Sequence, residues 1–226
     1  MKLTDTKKIE NTYKENPDLG KALAYRGVKL YADQKPYMLV LKREDGSIFG
    51  EIPVDFYFDA VTIHDDSLYV GMRDGEVLKC SLDPCKVESK FFLSMDVWQS
   101  LFDHESIIDG TRQVVKHHEL GRPENLAMAN ILNDHCFESA VTKIAGHGDL
   151  LAVGDVFGRI AVFSIDDLKR TVDFGTVDGA IIDLVWKDDD SLRVAWVNQK
   201  GAADPFALTE VPQAFMADCE IETVRN

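Results

Sequence analysis

The chain has 226 residues, 45% of them hydrophobic, and a formal net charge of −14 from 25 Lys and Arg against 39 Asp and Glu. This length is enough to bury a sizeable core in one large domain or two small ones. Binding to nucleic acid or to anionic lipid depends on clustered Lys and Arg, so the charge argues against both and favours a partner protein with a basic surface.

The beginning of the chain is polar. The stretch MKLTDTKKIENTYKENPDLG lacks the apolar centre of a secretory signal peptide, and no apolar run in the chain approaches the roughly 20 residues that a membrane span requires. We therefore expect an intracellular, cytoplasmic protein, with a nuclear location left open. Residues 1–20 are interpreted as a polar arm, either a short amphipathic segment with Ile9 and Tyr13 on one face or a disordered tail.

Residues 21–212 repeat a pattern with a period of about 40 residues. The pattern begins at Ala22-Leu23-Ala24 and continues through PYMLVLKREDGSIFGEI, where Asp45-Gly46 joins two short apolar runs. Asp-Gly between such runs is the strongest local signal for a β-hairpin. A similar alanine-led triplet returns at Ala60, then two periods later at Ala140 and one period later at Ala180.

Two segments match each other best, SLYVGMRDGEVLKCSLD (residues 67–83) and LLAVGDVFGRIAVFSID (residues 150–166). In both, an apolar strand ends in Val-Gly, a second glycine follows four residues later, and Ser-apolar-Asp closes the unit. The spacing from Gly71 to Gly154 is the same as that from Gly75 to Gly158. We interpret this spacing as two periods, with one weaker unit between the two segments.

The weaker unit is expected near residue 100, with a helical insertion at about residues 92–133. It contains one clear strand pair, and around that pair the apolar side chains of Trp98, Leu101 and Phe102 recur at helical spacing. We interpret it as a degenerate blade that carries a helical insertion. Because tryptophan and other large apolar residues are frequent binding anchors, we expect Trp98, Leu101 and Phe102 to contact a partner.

A period of this length, built from short strands and glycine turns, is typical of a β-propeller blade. Each four-stranded blade has two apolar faces, which it covers by stacking between neighbours. The predicted fold is therefore all-β, a propeller-like array of about five four-stranded blades, one of them degenerate. Residues 213–226 form either a tail or a closing strand. The array is either a closed ring or an open one that a strand from another chain completes.

In the three segments SLYVGMRDGEVLKCSLD, LLAVGDVFGRIAVFSID and LVWKDDDSLRVAWV, the chain resembles the WD40-like propeller superfamily. The resemblance implies a blade architecture and a role in protein assembly. The chain departs from the family at the Trp-Asp dipeptide, which is replaced by Cys80-Ser81 and Phe163-Ser164, and Gly146-His147 precedes the second strand of its unit rather than the first. The family's hydrogen-bonded side-chain network is therefore not transferred, and quinoprotein-like and NHL-like propellers remain alternatives.

Candidate catalytic or metal-binding side chains are few. His117 and His118 would point to opposite faces of a strand, and Asp134 and His135, in the stretch NDHCFES, match no known zinc spacing. The four cysteines are too irregularly spaced for a disulfide framework or a paired metal site, so no cofactor or metal is expected. The enzymatic alternative is a hydrolase or lyase whose site at the propeller mouth uses these four side chains.

Acidic residues recur at equivalent turns, most densely at Asp188, Asp189 and Asp190. Aspartate is common in turns because it bonds its own backbone, but a repeat would also align these carboxylates on one rim, where they attract a basic partner. The sequence therefore predicts a non-catalytic scaffold that binds other protein chains through Asp188–Asp190 and the insertion. A third hypothesis is a reader of a modified basic peptide, which would need an aromatic cage near the pore.

Overall fold

The computed structural model describes residues 2–10, 18–54, 57–73, 75–92, 140–156, 158–166, 168, 170–177, 179–198 and 213–220. Their regular structure consists of β-strands, so the predicted all-β class is confirmed. None of these residues belongs to a helix with the length and apolar character needed to cross a membrane. The predicted insertion at residues 92–133 lies outside them from residue 93 onward.

Three four-stranded antiparallel sheets are each made of consecutive strands joined by short turns. Sheet I contains β2 (Ala22–Tyr25), β3 (Val28–Lys35), β4 (Met38–Arg43) and β5 (Ile48–Pro53). Sheet II contains β6 (Phe58–His64), β7 (Ser67–Met72), β8 (Glu76–Leu82) and β9 (Cys85–Phe92). Sheet III contains β10 (Val141–His147), β11 (Leu150–Asp155), β12 (Arg159–Ser164) and β13 (Arg170–Thr176).

Sheet IV combines both ends of the described chain. Its order is β1 (Lys2–Ile9), β16 (Ala214–Glu220), β15 (Ser191–Val197) and β14 (Ala180–Asp188). The polar arm predicted for residues 1–20 thus begins with a strand, because Lys2–Ile9 pairs along β16 with Leu3 opposite Cys219. Its polar residues suit a strand at the edge of a sheet, where one side is exposed to water.

The sheets stack in the order I, II, III, IV, with β6 against β2, β10 against β6 and β14 against β10. Three apolar cores lie between them. In β7, Leu68 and Val70 point into the core shared with sheet I, whereas Tyr69 points into the core shared with sheet III. All three are fully buried. A strand covered on both faces has no polar alternation, which explains the continuous apolar runs at residues 68–70 and 151–153.

The repeated glycines allow this stacking. A Cβ at Gly71 would overlap Val141 on β10, lying 2.8 Å from its Cβ, and a Cβ at Gly154 would lie 2.9 Å from Ile181 on β14. Each glycine therefore lets the first strand of the next sheet approach the second strand of its own sheet. The glycines that follow, Gly75 and Gly158, adopt φ values of 86° and 81°, a left-handed turn conformation that favours glycine.

Sheets II and III are in direct contact, because β6 and β7 both pack against β10. The matching glycines of β7 and β11 therefore lie on neighbouring sheets. The two-period interpretation, which placed another unit between them, is wrong for these sheets. The reason is the long connection from β9 to β10, which spans residues 93–140 and matches one period in length by sequence spacing alone. The described residues form four sheets, and the unit predicted near residue 100 falls outside them.

The two end faces of the stack carry ion pairs. On sheet I, Lys42 pairs with Asp33, and Lys35 Nζ lies 3.4 Å from Glu51 Oε1. On sheet IV, Asp218 Oδ1 and Oδ2 lie 2.9 Å from Arg193 Nε and 2.8 Å from Lys187 Nζ. These side chains are on the strand faces opposite the cores, and no apolar cluster of the described residues joins sheets I and IV. The same faces also hold buried apolar side chains, namely Val40 opposite Asp33 and Glu51 on sheet I, and Ala195 and Val197 on sheet IV.

Asp218→Asn tests the ion pairs of sheet IV. Hydrogen bonds from Arg193 and then Lys187 lower the pKa of Asp218 from 3.8 to about 2. Because the folded-state pKa lies below the unfolded one, this carboxylate stabilises the fold above about pH 4, and that contribution disappears as the pH falls towards about 2. We expect Asp218→Asn to lower the thermal midpoint at pH 7 and to match the wild type near pH 2, in unfolding followed by circular dichroism.

The control for this experiment is Asp5→Asn, on the exposed part of β1. It removes the same charge where no ion pair of the described residues forms, so it should lower the thermal midpoint at pH 7 less than Asp218→Asn does. A gap between Asp218→Asn and the wild type that persists at pH 2 would contradict the assignment.

Candidate functional site

The first strands of the four sheets meet at a cluster of charged side chains, which we call the hub cluster: Asp18, Lys21, Lys143 and Asp183. Lys143 Nζ on β10 lies 2.6 Å from Asp18 Oδ1, and these side chains are only 7% and 10% exposed. Lys21 Nζ lies 2.8 Å from the same oxygen, and the backbone N–H of Val61 on β6 donates to Asp18 Oδ2. Asp18, just before β2, therefore connects sheets I, II and III.

Burial has the largest effect on the pKa of Lys143 in the hub cluster. Burial lowers the pKa of Lys143, and the carboxylate of Asp18 opposes that shift. Asp183 on β14 adds a further attraction to both Lys143 and Lys21. The sequence patterns did not predict this cluster, although a lysine inside the largely apolar strand VTKIAG is a signal for a buried ion pair.

A second set of contacts ties each sheet to the next at the turn after its first strand. Arg26 Nη2 lies 2.8 Å from Asp66 Oδ2, linking sheets I and II. His64 Nε2 donates to the carbonyl oxygen of Gly148 at 2.8 Å, linking sheets II and III.

The same set continues between sheets III and IV. His147 Nε2 donates to Asp189 Oδ1 at 2.9 Å, and its ring stacks on Trp186, whose Nε1–H donates to the carbonyl of Ala145. His64 and His147 have the same spacing as the repeated glycines, so the sequence contained a signal for these contacts. Because the linked turns are equivalent, all four sheets present the same end to one side of the array.

That side carries the acidic turns. In an antiparallel meander, the turn after the first strand and the turn after the third strand lie at the same end of a sheet. The acidic rim is defined by the exposed acidic residues in these turns and at the end of β14: Glu44, Asp45, Asp65, Asp66, Asp83, Asp149, Asp166, Asp188, Asp189 and Asp190. Arg26 is the only cation among the described residues between these strands, and the exposed Arg43, the last residue of β4, lies beside Glu44.

The predicted residues Asp188, Asp189 and Asp190 all lie on the acidic rim and are exposed. They also have local roles. Asp188 accepts the backbone N–H of Asp190, and hydrogen bonds from Ser191 and Asp190 lower the pKa of Asp188. Asp189 Oδ1 accepts the hydrogen bond from His147 Nε2. Asp188 and Asp189 therefore stabilise the turns through hydrogen bonds while their carboxylates remain exposed to water.

Several predicted residues fall outside the described part of the chain. They are the partner-binding candidates Trp98, Leu101 and Phe102, and the side chains of the enzymatic alternative, His117, His118, Asp134 and His135. Within the described residues, no three His, Cys, Asp or Glu side chains converge as ligands for a metal.

The described cysteines are free thiols. Burial raises the pKa of Cys80 to about 12 and that of Cys219 to about 11, and it also raises the pKa of Cys85. A thiol must ionise to act as a nucleophile, so these three side chains contribute as apolar groups.

The hypothesis of a modified-peptide reader requires open aromatic faces. Tyr25 and Phe49 form an edge-to-face pair with ring centroids 5.8 Å apart on sheet I. However, the guanidinium groups of Arg26 and Arg43 each lie 5.1 Å from one of these rings. Both rings already hold a cation of this chain, which is not the arrangement of an open cage.

No protein-family model matches the sequence, and no curated protein sequence matches it. Among solved structures, that of Sqt1 from Saccharomyces cerevisiae superposes with a TM-score of 0.52 at 12% identity, over 87% of this chain and 43% of the Sqt1 chain. AztD from Citrobacter koseri superposes with a TM-score of 0.44 at 12% identity, over 70% of this chain and 35% of the AztD chain. The likeness to Sqt1 supports a propeller-like fold. This chain spans less than half the length of either chain.

Proposed function

We propose that this chain is a non-catalytic interaction scaffold, a divergent member of the WD40-like propeller superfamily, whose acidic rim docks a partner protein with a basic surface. The observation that carries the proposal is the concentration of exposed carboxylates at one end of all four sheets. Summed over a rim, such charges raise the local concentration of a cationic partner and speed its association.

The stacking supports a scaffold because it keeps the rim rigid. Each turn of the acidic rim is anchored to sheets that are buried on one or both faces, and the contacts of Arg26, His64 and His147 lock successive turns together. A surface that is ordered before binding loses less conformational entropy when a partner docks.

The experiment compares two triple variants of equal charge. The rim variant carries Asp188→Asn, Asp189→Asn and Asp190→Asn. The control variant carries Asp5→Asn, Glu51→Gln and Glu88→Gln, which are exposed on the outer strands of sheets IV, I and II, away from the turns. The tagged chain is recovered from its source cells, and its companions are identified and mapped by cross-linking.

We expect a companion with a basic surface that cross-links next to the acidic rim, and whose association with the rim variant is about tenfold slower at low salt. The control variant should match the wild type. A companion that binds both variants equally, or that cross-links elsewhere, contradicts the proposal, as does recovery of the chain alone.

A further inference from the structure

A groove opens between sheets I and II where they reach the acidic rim. It has a volume of about 370 Å³ and is lined by Tyr25, Arg26, Phe49, Leu82, Asp83 and Cys85. We call it the rim groove. None of the sequence patterns pointed to it, because its walls come from three separate turns that only the stacking brings together.

The floor of the rim groove is apolar and closely packed. Leu82 and Tyr25 are buried in the core between sheets I and II, and Cys85 packs against the same core. Gly50 allows close packing there, because a Cβ at that position would overlap the sulfur of Cys85. Because Tyr25 and Leu82 are only 7% and 3% exposed, the floor offers a small apolar surface to a bound side chain.

The walls carry one positive and one negative group. Arg26 is held by the Tyr25 ring and by Asp66 Oδ2, to which both Nε and Nη2 are directed. No described residue accepts a hydrogen bond from its remaining guanidinium N–H groups. Asp83 is exposed, and no described residue donates a hydrogen bond to its carboxylate. The two groups form no hydrogen bond with each other, although the Asp83 carboxylate attracts the Arg26 guanidinium and, after the larger effect of Asp66, contributes to the raised pKa of Arg26.

We propose that the rim groove binds an exposed segment of the basic partner, with a large apolar side chain on the floor and an adjacent Lys or Arg on Asp83. Arg26 then donates to a main-chain carbonyl of the segment. The volume exceeds that of one side chain, so the rim groove also admits the adjoining backbone of the segment. This inference rests on the proposed function and specifies where the partner is anchored.

The repeat supplies a matched control. Asp166 occupies the turn of sheet III that corresponds to Asp83 in sheet II, and it is also exposed. Asp83→Lys and Asp166→Lys therefore make the same change of rim charge at equivalent turns, but only the first lies in the rim groove. Circular dichroism and thermal unfolding verify that both variants fold.

The probe is a library of random heptapeptides displayed on phage, panned against the wild-type chain and then tested on both variants. We expect enriched peptides to place a large apolar residue next to Lys or Arg. They should bind the wild type and Asp166→Lys alike and Asp83→Lys at least about tenfold more weakly, the loss expected for one charge-assisted hydrogen bond.

Other outcomes overturn the inference in distinguishable ways. Basic peptides without an apolar residue, weakened equally by both variants, would show binding by rim charge alone, which rejects the rim groove and leaves the proposed function intact. Enrichment of acidic peptides would reject both. If no peptide is enriched, the rim groove is rejected, and cross-linking decides the proposed function separately.

Discussion

Asp18→Ala is expected to destabilise the protein by about 3–5 kcal/mol, the cost of leaving a buried charge without its partner. Lys143 is held at 2.6 Å by Asp18 in a site where its side chain is only 7% exposed. Without Asp18, its ammonium group would remain buried next to the like charge of Lys21, with only the attraction of Asp183, which forms no hydrogen bond with it, to oppose that repulsion. The substitution also removes the acceptor of the Val61 backbone N–H.

Substitutions in the hub cluster should lower the free energy of unfolding by different amounts. Lys143→Met should cost less than Asp18→Ala, because Asp18 keeps Lys21 and the Val61 N–H as partners and methionine suits a buried site. Lys21→Met is the control, since the Lys21 side chain is 59% exposed and an exposed ion pair contributes about 0–1 kcal/mol. Urea unfolding measures all three. Equal losses for Asp18→Ala and Lys21→Met would show that the hub cluster does not hold the array together.

Gly71→Ala is expected to destabilise the protein by about 2–3 kcal/mol, at the upper end of the cost of overpacking a core. The added methyl group would overlap Val141, and it would also lie 3.0 Å from the Cβ of Ala60. Because Val141 begins the first strand of sheet III, the strain separates sheets II and III. Gly154→Ala should cost less, about 1 kcal/mol, since its nearest neighbour, Ile181, lies farther away.

The control for Gly71→Ala is the double substitution with Val141→Ala, which removes the atoms that the new methyl group would meet. The double variant should be more stable than the sum of the two single effects predicts, by at least about 1 kcal/mol. Additive effects would mean that Gly71 is needed for its own backbone and not for the approach of sheet III.

A scaffold built in this way has consequences for its surfaces. The cores lie between sheets, so turns and rims can vary without loss of the fold, and binding residues can accumulate there. The acidic rim and the rim groove both follow this rule. The opposite end of the array differs in chemistry, because Tyr37 and Tyr57 are 74% and 57% exposed there and Arg73 lies over the Tyr57 ring.

The four-stranded unit can be predicted from local sequence patterns. The signals act within a hairpin or against the next sheet, so local rules suffice to predict a four-stranded unit and an all-β fold. They are the short apolar strands, Asp-Gly at 45–46, and the glycine pairs at 71 and 75 and at 154 and 158. The repeat spacing also predicts that the aspartates of the turns occupy equivalent positions.

The order in which the units neighbour one another depends on contacts between residues that are distant in the chain. The spacing from Gly71 to Gly154 is compatible with adjacent or alternate sheets, and the contact between β6 and β10 selects the first. The pairing of β1 with β16, the ion pair between Asp18 and Lys143 and the walls of the rim groove likewise join residues far apart in the chain. Periodicity records which face of a strand is buried, but it contains no information about which distant side chain lies opposite.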